Sequence, residues 1–339
     1  MAGLYIVLSS YNGAQYLLEQ IESIRGQSLS GWTLTVRDDG SSDDTPALLE
    51  RLARADHRIR LLEDGRGNLG PAASFGALLE HANTQAADYI ALADQDDVWH
   101  PDKLERELRL IQALEASTGA SHPLLVHSDL EVVDRDLRLV HPSYFRFQRL
   151  DESPAEPLRR LLLQNFVTGC TAVMNRALLR LALPIPQVVM HDWWLAQCAA
   201  ALGTLHVLPE ATVRYRQHGA NAVGSRGFAQ LYRDAVGNPR RWWAQSRANF
   251  ADAGAQVCEL AARLADLPAD TPTNPGAGDL VRQACQALYE PGPLRRCLEV
   301  SALGIRPRSL LAPVFFYLRI LAGIRESPAG RDGGRRPAA

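Results

Sequence analysis

The chain has 339 residues, 46% of them hydrophobic and 22% charged, with a formal net charge of −2. That length exceeds one average domain and allows a large core, and the composition excludes fibrous and intrinsically disordered classes. A nearly balanced charge, with no aromatics interleaved among Lys and Arg, argues against nucleic acid as a partner. Cysteines at 170, 198, 258, 285 and 297 form no C-x-x-C pair. Their odd number and wide spacing predict reduced thiols and argue against zinc. An apolar run at 4–8 follows the first residues with no basic region or cleavage site, which predicts no secretory signal and a cytoplasmic protein.

In chain order, apolar runs at 4–9, 34–37, 59–62, 89–93 and 124–127 read as strands. Between them, 16–25, 45–55, 71–82 and 101–114 carry helical patterns. Such alternation predicts βαβ units and a mainly parallel sheet flanked by helices. Right-handed crossovers then gather the loops 9–13, 38–43 and 94–97 on one rim of the sheet. Gly40 suits the positive φ of a tight turn, and Pro71 suits a first helical position. Neither loop follows a phosphate-binding pattern of the G-x-x-x-x-G-K or G-x-G-x-x-G type. From 151 the pattern becomes mixed, with a helix at 157–164, a strand at 170–175, a helix at 191–202 and strands at 205–208 and 212–215. After Gly227 it reads as helical, and the composition of 326–339 predicts disorder. The organisation is thus an α/β domain at 1–226, a helical region at 227–325 and a tail.

Asp94-Gln95-Asp96-Asp97 follows directly on the apolar run 89–93, so it lies at the carboxyl edge of a strand, where open α/β sheets bind ligands. Carboxylates suit Mg2+ or Mn2+ held together with a substrate's phosphates. Taken alone, the cluster reads equally well as a solvated acidic turn before a helix.

The ordered motifs Val7-Leu8-Ser9-Ser10-Tyr11-Asn12, Asp38-Asp39-Gly40-Ser41-Ser42-Asp43, Asn68-Leu69-Gly70 and Asp94-Gln95-Asp96-Asp97-Val98-Trp99 closely resemble family-2 glycosyltransferases of the GT-A fold. Phe166-Val167-Thr168-Gly169, His191-Asp192-Trp193-Trp194 and Tyr215-Arg216-Gln217-His218-Gly219-Ala220-Asn221 extend the resemblance over about residues 3–225. The late motif is most similar to bacterial rhamnosyltransferase-like members. The resemblance implies an inverting, metal-dependent transferase. It would use a dTDP- or UDP-sugar donor and a saccharide or lipid-linked acceptor, in surface polysaccharide biosynthesis.

Carried over by position, Ser9, Tyr11, Asn12, Asp39, Asn68, Gly70, Asp94 and Gln95 would contact the nucleotide sugar. Asp96, Asp97 and His218 would serve the divalent metal, and Thr168, Gly169 and Trp193 would line the acceptor pocket. Asp192 would be the catalytic base. Such chemistry needs charge stabilisation at the departing diphosphate and a base for the acceptor hydroxyl. Outside the family context, Asp192 reads as a helix cap and the tryptophans as core.

A nucleotidyltransferase would also set carboxylates beside a nucleotide, but it predicts a basic loop after the first strand, and residues 9–13 hold no Lys or Arg. A catalytically silent sugar-binding or scaffold protein is the non-enzyme alternative. The apolar run 310–321 is too short to span a bilayer. With arginines at 306, 308, 319 and 325, the stretch 306–325 reads either as a peripheral membrane contact or as a helix packed on the protein.

Overall fold

The computed structural model describes residues 3–150, 155–218, 237–290, 292–305 and 312–322. The first half follows a strand–helix rhythm: β1 (Leu4–Ser10), α1 (Leu17–Arg25), β2 (Trp32–Asp38), α2 (Thr45–Ala55), β3 (Ile59–Leu61), α3 (Pro71–Thr84), β4 (Tyr89–Ala93), β5 (Val98–Trp99), α4 (Lys103–Thr118), β6 (Leu124–Asp134) and β7 (Leu139–His141). Then come α5 (Tyr144–Phe147), α6 (Pro157–Leu161), β8 (Ala172–Asn175), α7 (Arg176–Ala182), α8 (His191–Leu202) and β9 (Thr204–Gln217). Four further helices are α9 (Pro239–Asp266), α10 (Ala277–Tyr289), α11 (Pro293–Ala302) and α12 (Ala312–Ala322). The tail at 326–339 lies outside the described residues.

All nine strands form one sheet, in the order β3-β2-β1-β4-β8-β6-β9-β5, with β7 on β6. β1 pairs in parallel with β2 and β4, β2 with β3, and β6 with β9. β4 is wholly buried, as befits a strand covered by helices on both faces. The fold is GT-A: a mixed, mostly parallel curled sheet flanked by helices, with a helical C-terminal region.

β8 is the strand that shapes the site. It runs antiparallel between β4 and β6, pairing Ala91 with Val173. The residues just before β8 therefore come to the carboxyl end of β4, beside the acidic cluster. β9 differs from the sequence reading. The two predicted strands at 205–208 and 212–215 are one strand of 14 residues. Its register against β6 jumps from Ser128↔Leu208 to Asp129↔Ala211, so Pro209 and Glu210, which look like a break in sequence, are absorbed as a bulge.

Every residue of α8 is buried, from His191 to Leu202, as expected of a helix apolar all round. Its core cluster continues into the C-terminal helices through Phe250, Val257, Leu260, Val281, Leu288, Val300 and Ile320. A disulfide joins Cys258 of α9 to Cys285 of α10. This corrects the expectation of five reduced thiols; Cys170, Cys198 and Cys297 are free. The two partners lie 27 residues apart, on neighbouring helices whose packing brings their Cα atoms to 5.0 Å. No local motif announces such a pair.

Candidate active site

The site is built from the loops that leave β1, β2 and β4 at one rim. Gln95 ties the first to the third. Its Oε1 accepts from Ser10 Oγ at 2.8 Å and from the Tyr11 N–H at 2.9 Å, while its Nε2 donates to the Tyr11 carbonyl at 3.1 Å. The approach leaves no room at Gly13, where an added Cβ would stand 2.1 Å from Gln95 Oε1. Asn12, at φ 48°, ties the first loop to the second. Its N–H donates to Ser41 Oγ at 2.8 Å and its Oδ1 accepts from the Ser42 N–H at 2.8 Å.

Asp39 is buried, and its carboxylate accepts from the N–H groups of Leu69 (2.8 Å) and Gly70 (2.9 Å) and from Arg37. Asn68 Nδ2 donates to the Asp39 carbonyl at 2.8 Å. Arg37 is the hub beneath this knot. Fully buried at the end of β2, it forks onto Asp64 (2.9 and 3.2 Å) and also donates to the Gly67 carbonyl and to Ser74 Oγ. Ser74 Oγ in turn shares a 2.7 Å bond with Ser9 Oγ. A guanidinium holding two carboxylates and a loop carbonyl explains why a charge sits inside an apolar strand.

The four-residue acidic loop divides by direction. Asp96 shares a 2.7 Å hydrogen bond through Oδ2 with His218 Nε2. The β5–β9 ladder brings these distant residues together, since Val98 pairs with Arg214. The His218 and Tyr16 ring centroids lie 4.8 Å apart, and the Arg216 guanidinium lies 4.5 Å from the Tyr16 centroid. Arg216 donates its N–H to Asp97 Oδ1 at 3.1 Å and its Nε to the Asp96 carbonyl at 2.8 Å.

Asp97 points the other way, fully buried, with its carboxylate beside the Cys170 thiol. Among the described residues, ligand atoms of Asp94, Asp97 and Cys170 converge within 4.8 Å of one another. Burial raises the Asp97 carboxyl well above its ordinary range, and the Asp96 and Asp94 charges add to the shift. Burial likewise pushes Asp94 up to about 7, with the neighbouring Asp96 and Asp192 charges contributing.

Asp192 sits in the first turn of α8. Its Oδ2 accepts from the Gly169 N–H at 3.0 Å, and its Oδ1 accepts from its neighbour Trp193 N–H at 2.6 Å and from Asn165 Nδ2 at 3.3 Å. Burial raises its pKa to about 6, against the lowering effect of those donors. A Cβ at Gly169 would press on His191 Nε2 at 3.3 Å while making ordinary contact with Asp192 Oδ2 at 3.5 Å. Thr168 supplies the carbonyl that accepts from Thr171 N and Oγ1. Trp193 is buried with its indole N–H on the Leu161 carbonyl at 2.6 Å.

The structure thus groups Asp94 and Asp97 with Cys170, pairs Asp96 with His218 and Gly169 with Asp192, and joins Asn12, Asp39, Asn68, Gly70 and Gln95 through the rim loops, with Ser9 at the end of β1 on Ser74. Tyr11 stands exposed at the mouth. Gly219, Ala220 and Asn221 lie outside the described residues. Sequence reasoning did not single out Arg37, Cys170, Asn165 or Arg216 for roles. A lone Arg inside the apolar run 34–37 was the one signal available for Arg37.

Residues 5–180 match the family model for glycosyl transferase family 2. The chain belongs to that family. An uncharacterized glycosyltransferase of Nostoc sp. is 28% identical over 239 residues, covering 68% of this chain and 69% of the relative. The dTDP-rhamnosyl transferase RfbG of Shigella flexneri is 23% identical over 251 residues, covering 73% of this chain and 84% of RfbG. A mannosyltransferase of Pyrobaculum calidifontis, solved with GDP-Man and Mn2+, superposes with a TM-score of 0.51 at 17% identity, covering 93% of this chain and 78% of its own. This family-2 chain is a glycosyltransferase.

Proposed function

We propose that the chain is an inverting, divalent-cation-dependent glycosyltransferase of surface polysaccharide biosynthesis. It moves a hexose or deoxyhexose, rhamnose being the leading candidate, from a dTDP- or UDP-sugar to a hydroxyl of a saccharide or lipid-linked acceptor. One observation carries the reading. β8 runs antiparallel to β4, which sets Gly169 and the Asp192 carboxylate it holds beside the acidic loop 94–97 at the end of β4, where Asp94 and Asp97 meet Cys170. Support for the rhamnosyl donor is the likeness to RfbG.

A divalent cation fits the residues present. Asp96 and His218 offer a carboxylate and an imidazole already 2.7 Å apart. Asp96, with His218, would hold Mn2+ or Mg2+, which when bound offsets negative charge on the leaving diphosphate, with Asp97 buried behind the pair beside Asp94 and Cys170. Ser9, Tyr11, Asn12, Asp39, Asn68, Gly70 and Gln95 shape the nucleotide side of the cleft, through the loop bonds described above. Thr168, Gly169 and Trp193 frame the acceptor side.

Asp192 takes the proton of the acceptor hydroxyl through a carboxylate oxygen as that hydroxyl attacks the anomeric carbon. Direct attack from the face opposite the diphosphate inverts the configuration. A base with a pKa of about 6 is ionised at neutral pH yet basic enough to share a proton in the transition state. The Gly169 N–H and the Asn165 amide aim the carboxylate and restrain its rotation.

Thermal denaturation of the full chain with UDP-, dTDP- and GDP-sugars, each with and without Mn2+, tests the reading. A ligand at about a hundred times its Kd stabilises the folded state by roughly 2.7 kcal/mol. A cation-dependent rise in Tm with a dTDP- or UDP-sugar is expected. No rise with any nucleotide sugar would overturn the proposal.

A further inference from the structure

We propose that Cys170 is a positioning residue that clasps the acceptor base and the cation loop into one unit. Register puts it there. β4 and β8 run antiparallel with Ala91 opposite Val173, and continuing that register by three residues brings Cys170 to Asp94. Its Sγ and the carboxylate oxygens of Asp94 and Asp97 lie within 4.8 Å of one another. The side chain is fully buried, and its thiol donates to the Asp97 carboxylate. A thiol is a weak donor, but a carboxylate cut off from water needs whatever donor the fold supplies. An apolar side chain would fill the same space and leave that carboxylate unmet.

The clasp has two arms. On one side, the Gly169 N–H donates to Asp192 Oδ2 at 3.0 Å. Gly169 and Cys170 belong to one short 3-10 turn, Gly169–Thr171, closed by the Thr171 N–H and Oγ1 on the Thr168 carbonyl at 3.0 and 2.7 Å. The base and the thiol are therefore held by neighbouring residues of a turn with little freedom. On the other side, Asp97 Oδ1 accepts from the Arg216 N–H at 3.1 Å, and Arg216 Nε donates to the Asp96 carbonyl at 2.8 Å. Asp97 is thus fixed between the turn and β9, and with it the backbone that aims Asp96 at His218. Cys170 acts through Asp97 and the turn, and so sets the distance between the cation and the base. The inference rests on the reading of Asp192 as the acceptor base and of Asp96 as the cation's carboxylate.

The test compares Cys170→Ser with Cys170→Ala in the full chain. Both remove the volume of sulfur, so the packing loss is common to them and only Ser keeps a donor. Mn2+ affinity is read by calorimetry with Mn2+ alone, and turnover at saturating Mn2+ is read beside it. Ser is expected to stay within about threefold of the parent on both. Ala is expected to bind Mn2+ about tenfold more weakly and to lose about tenfold in kcat with a smaller change in the KM for acceptor, the order of one lost hydrogen bond. The isosteric pair Cys170→Thr and Cys170→Val repeats the comparison with volume restored, in case a smaller side chain prevents folding. A site that needs only packing gives the reverse order, because a hydroxyl would be buried there for nothing. Ala and Val equal to or better than Ser and Thr, in a parent that binds Mn2+ and turns over, would overturn the clasp alone. A parent with neither Mn2+ binding nor turnover would overturn the proposed function and the clasp with it.

Discussion

The rim of the sheet and the C-terminal helices are held by different physics. At the rim, polar side chains bond loop to loop: Gln95 to Ser10 and Tyr11, Asn12 to Ser41 and Ser42, Asp39 to Leu69 and Gly70, with Arg37 underneath. In α9 to α12 the joints are mainly apolar, through Phe250, Val257, Leu260, Val281 and Leu288, with one covalent link between Cys258 and Cys285 and a few polar ties, such as Arg263 on the Leu181 and Leu183 carbonyls and Gln256 on Gln197. Directional bonds fix positions closely and suit a place where charges must be aimed. Apolar burial fixes a helix against the body and tolerates drift. The rim should therefore respond to substitution through activity, and the helices through stability alone.

The largest effect expected at the rim comes from Asp96→Ala. Removing the carboxylate nearest His218 should cost several kcal/mol of transition-state stabilisation, read as loss of cation-stimulated turnover, with EDTA reproducing the loss in the parent protein. Undiminished stimulation by Mn2+ in the variant would place the cation elsewhere. Arg37→Ala joins the two regimes, because it leaves the buried Asp39 without its cation and Asp64 with Arg66 alone. A cost of about 3–5 kcal/mol in urea denaturation is expected, a magnitude typical of breaking a buried pair by removing one partner.

Cys258→Ser sharpens the contrast from the other side. Losing a link that closes a loop of 27 residues should lower stability by about 2–4 kcal/mol, and transfer measured well below Tm should be unaltered. A large fall in turnover would tie the helices to the chemistry. Gln95→Ala is the mildest: the half-buried loop clasp on Ser10 and Tyr11 loosens, and the KM for donor should rise by up to about tenfold with a smaller change in kcat, following the order of magnitude of a lost hydrogen bond.

Much of this architecture is legible in the sequence because β1 to β4 and their helices obey simple periodicities, and each rim loop follows its strand directly. The acidic loop after β4 is legible for the same reason. Other features arise only when remote segments meet. Asp96 and Asp97 are adjacent in sequence and opposite in environment, one on His218 and the other against Arg216 and Cys170, and that division depends on the β5–β9 ladder and on β8 running antiparallel. Pro209 masks the continuity of β9, since a bulge and a strand break look alike along one chain. The Cys258–Cys285 link carries no local sign, because it records how two helices pack.

The acceptor side of the cleft offers the most direct test, by comparing Asp192→Asn with the parent in donor binding and turnover. The amide keeps the shape of the carboxyl but is unable to take a proton. Donor affinity by calorimetry should be unchanged while kcat falls by about 10²–10⁴-fold. In the parent, kcat should rise with pH through about 6 and level off above it, since only the ionised carboxylate accepts the proton. Full turnover in Asp192→Asn, with the same rise near pH 6, would contradict the account.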